Sequence, residues 1–403
     1  MRRAAIVAPI RTPVGKFLGA LASIQAGDLG AIVIRALIER TGVDPERIDD
    51  VVFAQGYGNG EAPCIGRWSA LAAGLPISVP GVQLDRRCGS GLQAVIDAAM
   101  RIQTGAADVV IAGGVESMSN VEYYSIDHRH GARSGSTMLH DRLTRGRVMS
   151  QPIERCGVIS GMIETANNLA SDYGISREAC DLYAAGSHQR ATNAWAQGKF
   201  DDELVPVAVP QKRGDPVLFA RDEGIRSDAT PESLALLKPI EKGGVVTAGN
   251  ASQQNDAAAA CLVVAEDKLA SLGLAPSAWF HSWAAAGCEP SRMGIGPVPA
   301  TEKLFARSGL GWGDIDLVEL NEAFAPQVLA CLKGWGWSDD DSRREMLNVN
   351  GSAISLGHPI GATGGRILAN LVRELKRRGG RYGLETMCIG GGQGLAAIFE
   401  RAA

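Results

Sequence analysis

The sequence predicts an α/β protein built from two similar halves, with a long polar insertion in the first. Three observations predict it. Short β-branched apolar runs alternate with amphipathic helical patterns, three of these segments recur in order near the C-terminus, and a loop-rich stretch separates the two sets.

The first run, residues 4–8, lies in "MRRAAIVAPIRTPVGKF", which carries Arg2, Arg3, Arg11 and Lys16 and no acid. Pro9 and Pro13 would break an amphipathic transit helix, and the apolar core is too short for a secretory or spanning segment, so a strand and a cytoplasmic location are expected. Residues 50–54 and 108–112 are further short apolar runs of the kind buried on both sheet faces. Between them, "DLGAIVIRALIERTG" and "GLQAVIDAAMRIQTG" read as helices, each closed by a glycine. Crossovers of this length predict a largely parallel sheet. Residues 47–56 match 314–324, residues 88–105 match 358–379, and residues 108–117 match 383–394. Cys88 and His358 therefore start equivalent helices. From about 122 to 250 the chain is polar and rich in loops, with one clear helix at 176–198, and reads as a cover over a site.

Bulk composition excludes several classes. The 403 residues are 45% apolar and 21% charged with a formal net charge of −4, so no basic field points to nucleic acid or a membrane surface. The 8 cysteines form no CxxC and no zinc-knuckle spacing, so no metal site is expected, and scattered thiols suit a reducing compartment.

Four segments carry chemistry. Cys88 follows an apolar run and opens a helix in "CGSGLQA". Helix N-termini present unpaired N–H groups with partial positive charge, so a lowered thiol pKa and a reactive sulfur are expected, against the alternative of a small buried side chain. His358 precedes Pro359, which is suited to a first helical position, and a neutral imidazole beside a thiol is an activating partner. Cys388 ends a strand at "CIGGGQG". Because a strand follows this glycine run, an oxyanion hole is a better reading than a dinucleotide cradle. Asn321 follows the strand in "VELNEAFAPQ", where it could cap the turn or hold a water that donates to an oxyanion.

Together "CGSGLQA", "NEAFA" at 321–325, "GHPIGATGGRI" at 357–367 and "CIGGGQG" at 388–394 resemble the thiolases. The likeness runs nearly the whole chain, through "RTPVGKFLGAL", "YGISREACDLYAAGSHQRA", "TAGNASQQNDAAAA" and "MGIGPVPA". It implies a five-layered αβαβα fold with N-terminal half 1–121 plus 252–275, inserted loop domain 122–251 and C-terminal half 276–403. It implies ping-pong chemistry on 3-ketoacyl-CoA or acetyl-CoA, with CoA as a substrate and no permanently bound cofactor. Cys88 would be the nucleophile, His358 its base and Cys388 the acid and base at the α-carbon. His358 with Asn321 through water would form one oxyanion site, and the N–H groups of Cys88 and Gly390 the other. Such donors are typically worth ~3–4 kcal/mol each.

The resemblance places Arg226 and Ser233 at the nucleotide end of CoA, Ala248 and Ser252 along the pantetheine, and Met162, Met293 and Phe324 near the acyl group. It also implies a homodimer or homotetramer and a role in fatty acid metabolism such as beta-oxidation. Asp85, Ile163 and Asn167 depart from the usual Asn, Gly and Glu, and "SQQND" replaces a run of small residues; these bear on acyl specificity. A ketoacyl-synthase-like condensing enzyme would need His or Asn where Cys388 stands. A non-catalytic CoA- or lipid-binding relative would have lost one of the four groups.

Overall fold

The computed structural model describes residues 2–402. Strand Ala4–Arg11 is apolar on both faces because both are covered. Ala5 and Val7 pack outward against Leu29, Val33 and Leu37 of helix Ala26–Thr41, while Ala4 and Ile6 face inward. That helix ends at Gly42, φ 64°, and helix Ser90–Thr104 ends at Gly105, φ 78°, where the left-handed turn requires glycine.

Ten strands form one sheet, and Tyr123–Tyr124 with His140–Asp141 and Val207–Val209 with Val217–Phe219 form two small separate pairs. Its path runs Ile315–Leu320, Tyr382–Ile389, Gln393–Arg401, Ala278–Gly287, Ala4–Arg11, Asn255–Ala265, Val109–Ser117, Asp50–Ala54 and Gly81–Leu84, with Gly15–Lys16 on the side. Within the sheet, the described residues join the two halves through Ala5 opposite Trp279 and Ile6 opposite Ala278. On either side of this seam the order of elements repeats, as the internal matches predict.

Helices Ser90–Thr104 and Ile360–Arg378 are buried between the halves. Leu92, Val95, Leu368 and Leu371 share one core with Val110 and Cys261 of the first half and Met387 and Ala397 of the second. Helices Ala26–Thr41 and Ile65–Ala72 cover one outer face, and Pro297–Ser308 with Ala325–Gly334 cover the other. The layers are αβαβα.

Two expectations need correction. The sheet is mixed, not largely parallel: parallel pairing is confined to Asp50–Ala54 with its two neighbours and to Ile315–Leu320 with Tyr382–Ile389. Helices lie in the chain between the members of each of these parallel pairs. Tyr382–Ile389 turns straight into Gln393–Arg401 through Gly390, Gly391 and Gly392, and a turn that short forces an antiparallel pair. The stretch from 122 to 250 also holds a second substantial helix, Met162–Asp172. Its apolar positions, Thr165, Ala166, Leu169 and Ala170, are mostly small, which hid the helical period.

The central helices meet at their first turns. A Cβ on Gly91 would lie 2.7 Å from the Gly361 carbonyl oxygen, and one on Gly364 would lie 2.0 Å from the Leu92 nitrogen. G364A is therefore expected to lower stability in urea by roughly 1–3 kcal/mol through overpacking, with G60A, where a Cβ meets open space, as the neutral control. Equal unfolding midpoints for the two variants would contradict this contact.

Candidate active site

Cys88 lies in a short 3-10 turn, Arg87–Gly89, that leads into helix Ser90–Thr104. Arg87 takes a left-handed φ of 50°, and its N–H is held by Asp85 Oδ1 at 2.7 Å. The Ser90 hydroxyl accepts the Arg86 N–H at 2.7 Å. These bonds fix the turn and place the thiol in a pocket lined by Tyr57, Arg87, Arg147, Met162, Ile360 and Gly390, among others.

The expected lowering of the Cys88 pKa is not found. Burial raises it, and the Gly390 N–H on the sulfur and the nearby Arg87 offset that only in part. Desolvation of a charged sulfur outweighs the helix terminus, so Cys88 rests as a thiol. Cys388, at the end of strand Tyr382–Ile389, is also fully buried and its thiol is pushed well up, first by burial and then by the Cys88 sulfur. Gly390, two residues after Cys388, lines the same pocket as Cys88.

His358 is set by three bonds. Its N–H donates to Asn255 Oδ1 at 2.8 Å, its Nδ1 lies 2.7 Å from Thr363 Oγ1, and its Nε2 lies 3.5 Å from Asn321 Nδ2. Burial, then Arg366 and Arg147, lower its pKa to about 3, so the ring is neutral. Pro359 is the residue before the helix, and Ile360 is the first helical position, one later than expected. The ψ of 79° at Pro359 keeps it outside the helix and turns His358 off the helix axis. Asn321 Oδ1 is buried without a partner, a vacant acceptor beside the imidazole.

Three acceptors passed over in the sequence organise this site. Glu116 receives N–H bonds from Gly56 and Gly361 at 2.9 and 3.0 Å and from Tyr57 at 3.2 Å, tying three loops together. Burial pushes its pKa up to about 7. Glu322 accepts from the Tyr183 and Ser187 hydroxyls at 2.8 and 2.7 Å and from Asn348 and the Ile354 N–H, anchoring the segment that carries Asn321. Asn255 links His358 to the Gly15 carbonyl. An acid inside an apolar strand was the available signal for Glu116.

The other expected binding residues fall in two places. Met293 and Phe324 share an apolar cluster with Cys388, and Met162 and Ile163 pack against it. Ser252 donates its N–H to the Ala323 carbonyl at 2.9 Å, beside the bridge from Ala251 to Phe324. Ala248 is exposed on the turn Thr247–Asn250, whose Gly249 packs against Leu234 and Leu237. Ser233 is exposed on the adjoining helix Pro231–Ala235, with its hydroxyl engaged by Thr230, and Arg226 is exposed nearby in the chain. Asn167 accepts the Val245 and Val246 N–H groups and donates to Glu241 at 2.8 Å, so it clamps the segment that leads to Ala248. Among the described residues no cluster of His, Cys, Asp and Glu could hold a metal ion, and no helix is long and apolar enough to cross a membrane.

Two neutral thiols, a neutral imidazole and inward-facing N–H groups suit an enzyme that passes an acyl group through sulfur. The comparisons agree. The thiolase N-terminal domain matches residues 4–267 and the thiolase C-terminal domain residues 274–401. The chain is 48% identical to an acetyl-CoA acetyltransferase of Chromobacterium violaceum, covering 98% of this chain and 99% of the relative. It is 44% identical to a beta-ketoadipyl-CoA thiolase of Acinetobacter baylyi over the full length of both. The crystal structure of human mitochondrial 3-ketoacyl-CoA thiolase in complex with CoA superposes with a TM-score of 0.92 at 39% identity, covering 100% of this chain and 98% of that one. The chain belongs to the thiolase family. It is an acyltransferase that carries out the thiolase reaction, with CoA as a substrate.

The neutral imidazole has a consequence for stability. The unfolded chain protonates residue 358 near pH 6.5, and the folded chain only near pH 3. The stability that the neutral ring contributes is thus complete above pH 6.5 and is lost as the pH falls toward 3. H358Q should flatten the acid-side slope of stability against pH by about 1.4 kcal/mol per unit in this window. Urea unfolding of both proteins at several pH values checks this, and parallel slopes would mean that the ring is already charged in the folded chain.

Proposed function

We propose that the chain cleaves 3-ketoacyl-CoA with CoA, and in reverse condenses acetyl-CoA, through an acyl group carried on Cys88. The observation that supports this reading is the pocket shared by Cys88, Gly390 and Met162, the last of which also packs against the cluster of Cys388. Cys88 attacks the C3 carbonyl while its proton passes to His358 Nε2. The N–H groups of Cys88 and Gly390 hold the resulting oxyanion. The C2–C3 bond then breaks, leaving the acyl group on Cys88 and an acetyl-CoA enolate. The enolate oxygen is held by the protonated His358 and by a water on Asn321, and Cys388 gives its proton to the carbon. CoA enters, its thiol proton returns to Cys388, its sulfur attacks the acyl-cysteine, and Cys88 leaves and recovers its proton from His358.

A neutral resting site supports this cycle. Each proton moves as a bond forms or breaks, and the protonated His358 and Cys388 thiolate left after acyl transfer are discharged when CoA brings its proton. The Nδ1 contact with Thr363 supports a tautomer with the proton on Nδ1 and the lone pair on Nε2. Arg226 and Ser233 would hold the nucleotide end of CoA, and Ala248 and Ser252 would flank the pantetheine. Their support is the single surface from the Pro231–Ala235 helix to Phe324.

The same reading divides the chain into the half 1–121 plus 252–275, the loop domain 122–251 and the half 276–403. In its support, strand Asn255–Ala265 returns to the first half's sheet after the long excursion. It also includes a cytoplasmic homodimer or homotetramer acting in fatty acid metabolism, including beta-oxidation. Eight unpaired thiols and the half-buried edge strand Gly81–Leu84 support location and assembly.

Cleavage of acetoacetyl-CoA by CoA, followed by loss of enolate absorbance, tests the reading. C88A should abolish turnover. N321A should lower kcat by roughly 10²–10³ through loss of an oxyanion donor. C388A should still take up one acyl group on Cys88 from a radiolabelled acyl-CoA while losing about 10²–10⁴ in condensation and cleavage rate. Labelling of C88A, or full turnover by C388A, would overturn the assignment.

A further inference from the structure

The cavity at the nucleophile contains two positive charges that the reaction above does not use. Arg87 and Arg147 both line it beside Cys88 and Gly390. Arg87 is fixed by its turn: its guanidinium donates to the Gly146 carbonyl and to Ser150 Oγ, the latter at 3.3 Å, and stands over the Tyr57 ring with 5.7 Å to the centroid. Arg147 projects from the last turn of helix Arg142–Val148 toward the Tyr57 hydroxyl, close enough to His358 to disfavour a charge on it.

Among the described residues neither guanidinium has an ion-pair partner. The buried Arg11 and the half-buried Arg142 show the contrast, while the fully buried Arg366 is bonded to Ser352 Oγ. Arg11 sits between Glu203 and Asp222 at 2.6 and 2.7 Å, and Arg142, one helical turn before Arg147, pairs with Glu122. The carboxylates nearest the cavity are already engaged. Glu116 is held by three N–H groups, Asp85 by the Arg87 N–H, and Asp141 caps its own helix at Leu143 and Thr144. Two half-buried guanidiniums without counterions, both lining the pocket at the nucleophile, are placed to receive a ligand that brings the negative charge.

The charged groups of CoA cannot supply it, because the diphosphate lies a full pantetheine arm away from the reacting sulfur. The anion must belong to the acyl side. The remaining wall is apolar, with Met162 and Ile360, and suits a short methylene chain. We infer that the acyl group this enzyme transfers ends in a carboxylate, held by Arg147 and Arg87, so that its 3-ketoacyl-CoA substrate derives from a dicarboxylic acid. A planar guanidinium binds a carboxylate through two parallel N–H bonds, a recognition that a methyl terminus cannot return.

The inference rests on the proposed thiolase reading and can fail separately from it. Two six-carbon 3-ketoacyl-CoA substrates are compared, identical except for a methyl or a carboxylate at the far end. The native enzyme should favour the carboxylate in kcat/KM by about tenfold or more, as expected for a charge-assisted bond. R147Q should remove most of that preference, a loss of roughly tenfold, with the change mainly in the carboxylate substrate, and R147K should restore part of it. A native preference for the methyl substrate, or an equal loss on both substrates in R147Q, overturns the inference and leaves the thiolase reading standing. No cleavage of either substrate by the native enzyme overturns both.

Discussion

The structure depends on one contact, between the first turns of the two central helices. Gly91 meets the Gly361 carbonyl, and Gly364 meets the backbone of Leu92, at distances that leave no room for side chains. Each helix starts with a reactive residue at its mouth, so this approach is what brings Cys88 and His358, 270 positions apart in the chain, to the same end of the molecule. Both helices are buried between sheets and cannot slide without disturbing a core that both halves share. Backbone-on-backbone packing fixes their separation more tightly than interdigitated side chains would, because there are no rotamers to adjust. Glu116 completes the fixture by joining Gly56 and Tyr57 of one half to Gly361 of the other.

The dryness this packing creates explains the protonation of the site. A helix start favours a thiolate by a fraction of a unit charge, while removing a charged sulfur from water costs several kcal/mol before compensation. Burial therefore wins at Cys88 and at Cys388, and it holds His358 neutral as well. An uncharged set is a sound arrangement for chemistry that must both donate and accept protons. Negative charge that develops on substrate oxygen appears next to N–H groups that are already in place.

Much of this was legible in the sequence, for identifiable reasons. Alternating strands and helices, glycine closures at Gly42 and Gly105 and the ordered internal matches all reflect local rules, and the duplicated halves followed from them, while the five layers were implied by the thiolase resemblance. The three-glycine turn after Ile389 was read as a corner for N–H donors, and Gly390 does point its N–H at sulfur. What was not legible depends on tertiary context. The antiparallel majority of the sheet is set by which strands share a short turn, and the helix Met162–Asp172 presents mostly small residues to its cluster. Asn255 and Glu322 are ordinary polar letters until the fold buries them beside His358 and Asn321. The direction of the Cys88 shift required a burial that no local pattern encodes.

The two kinds of element also divide chemistry from recognition. Cys88, Asn321, His358 and Cys388 sit at the ends of strands and helices of the duplicated core, where a displacement would open cavities in packed layers. Arg147 and Met162 come from the segment between the core strands Val109–Ser117 and Asn255–Ala265, on short helices tied down by caps and single side chains. Changing a residue there alters what lines the cavity and leaves the reacting atoms where they are. The departures at Ile163 and Asn167 lie in this segment too, one packed toward Cys388 and the other clamping the loop before Ala248. A fold arranged this way holds one carbon–carbon reaction constant while its choice of acyl group is set by a handful of inserted side chains.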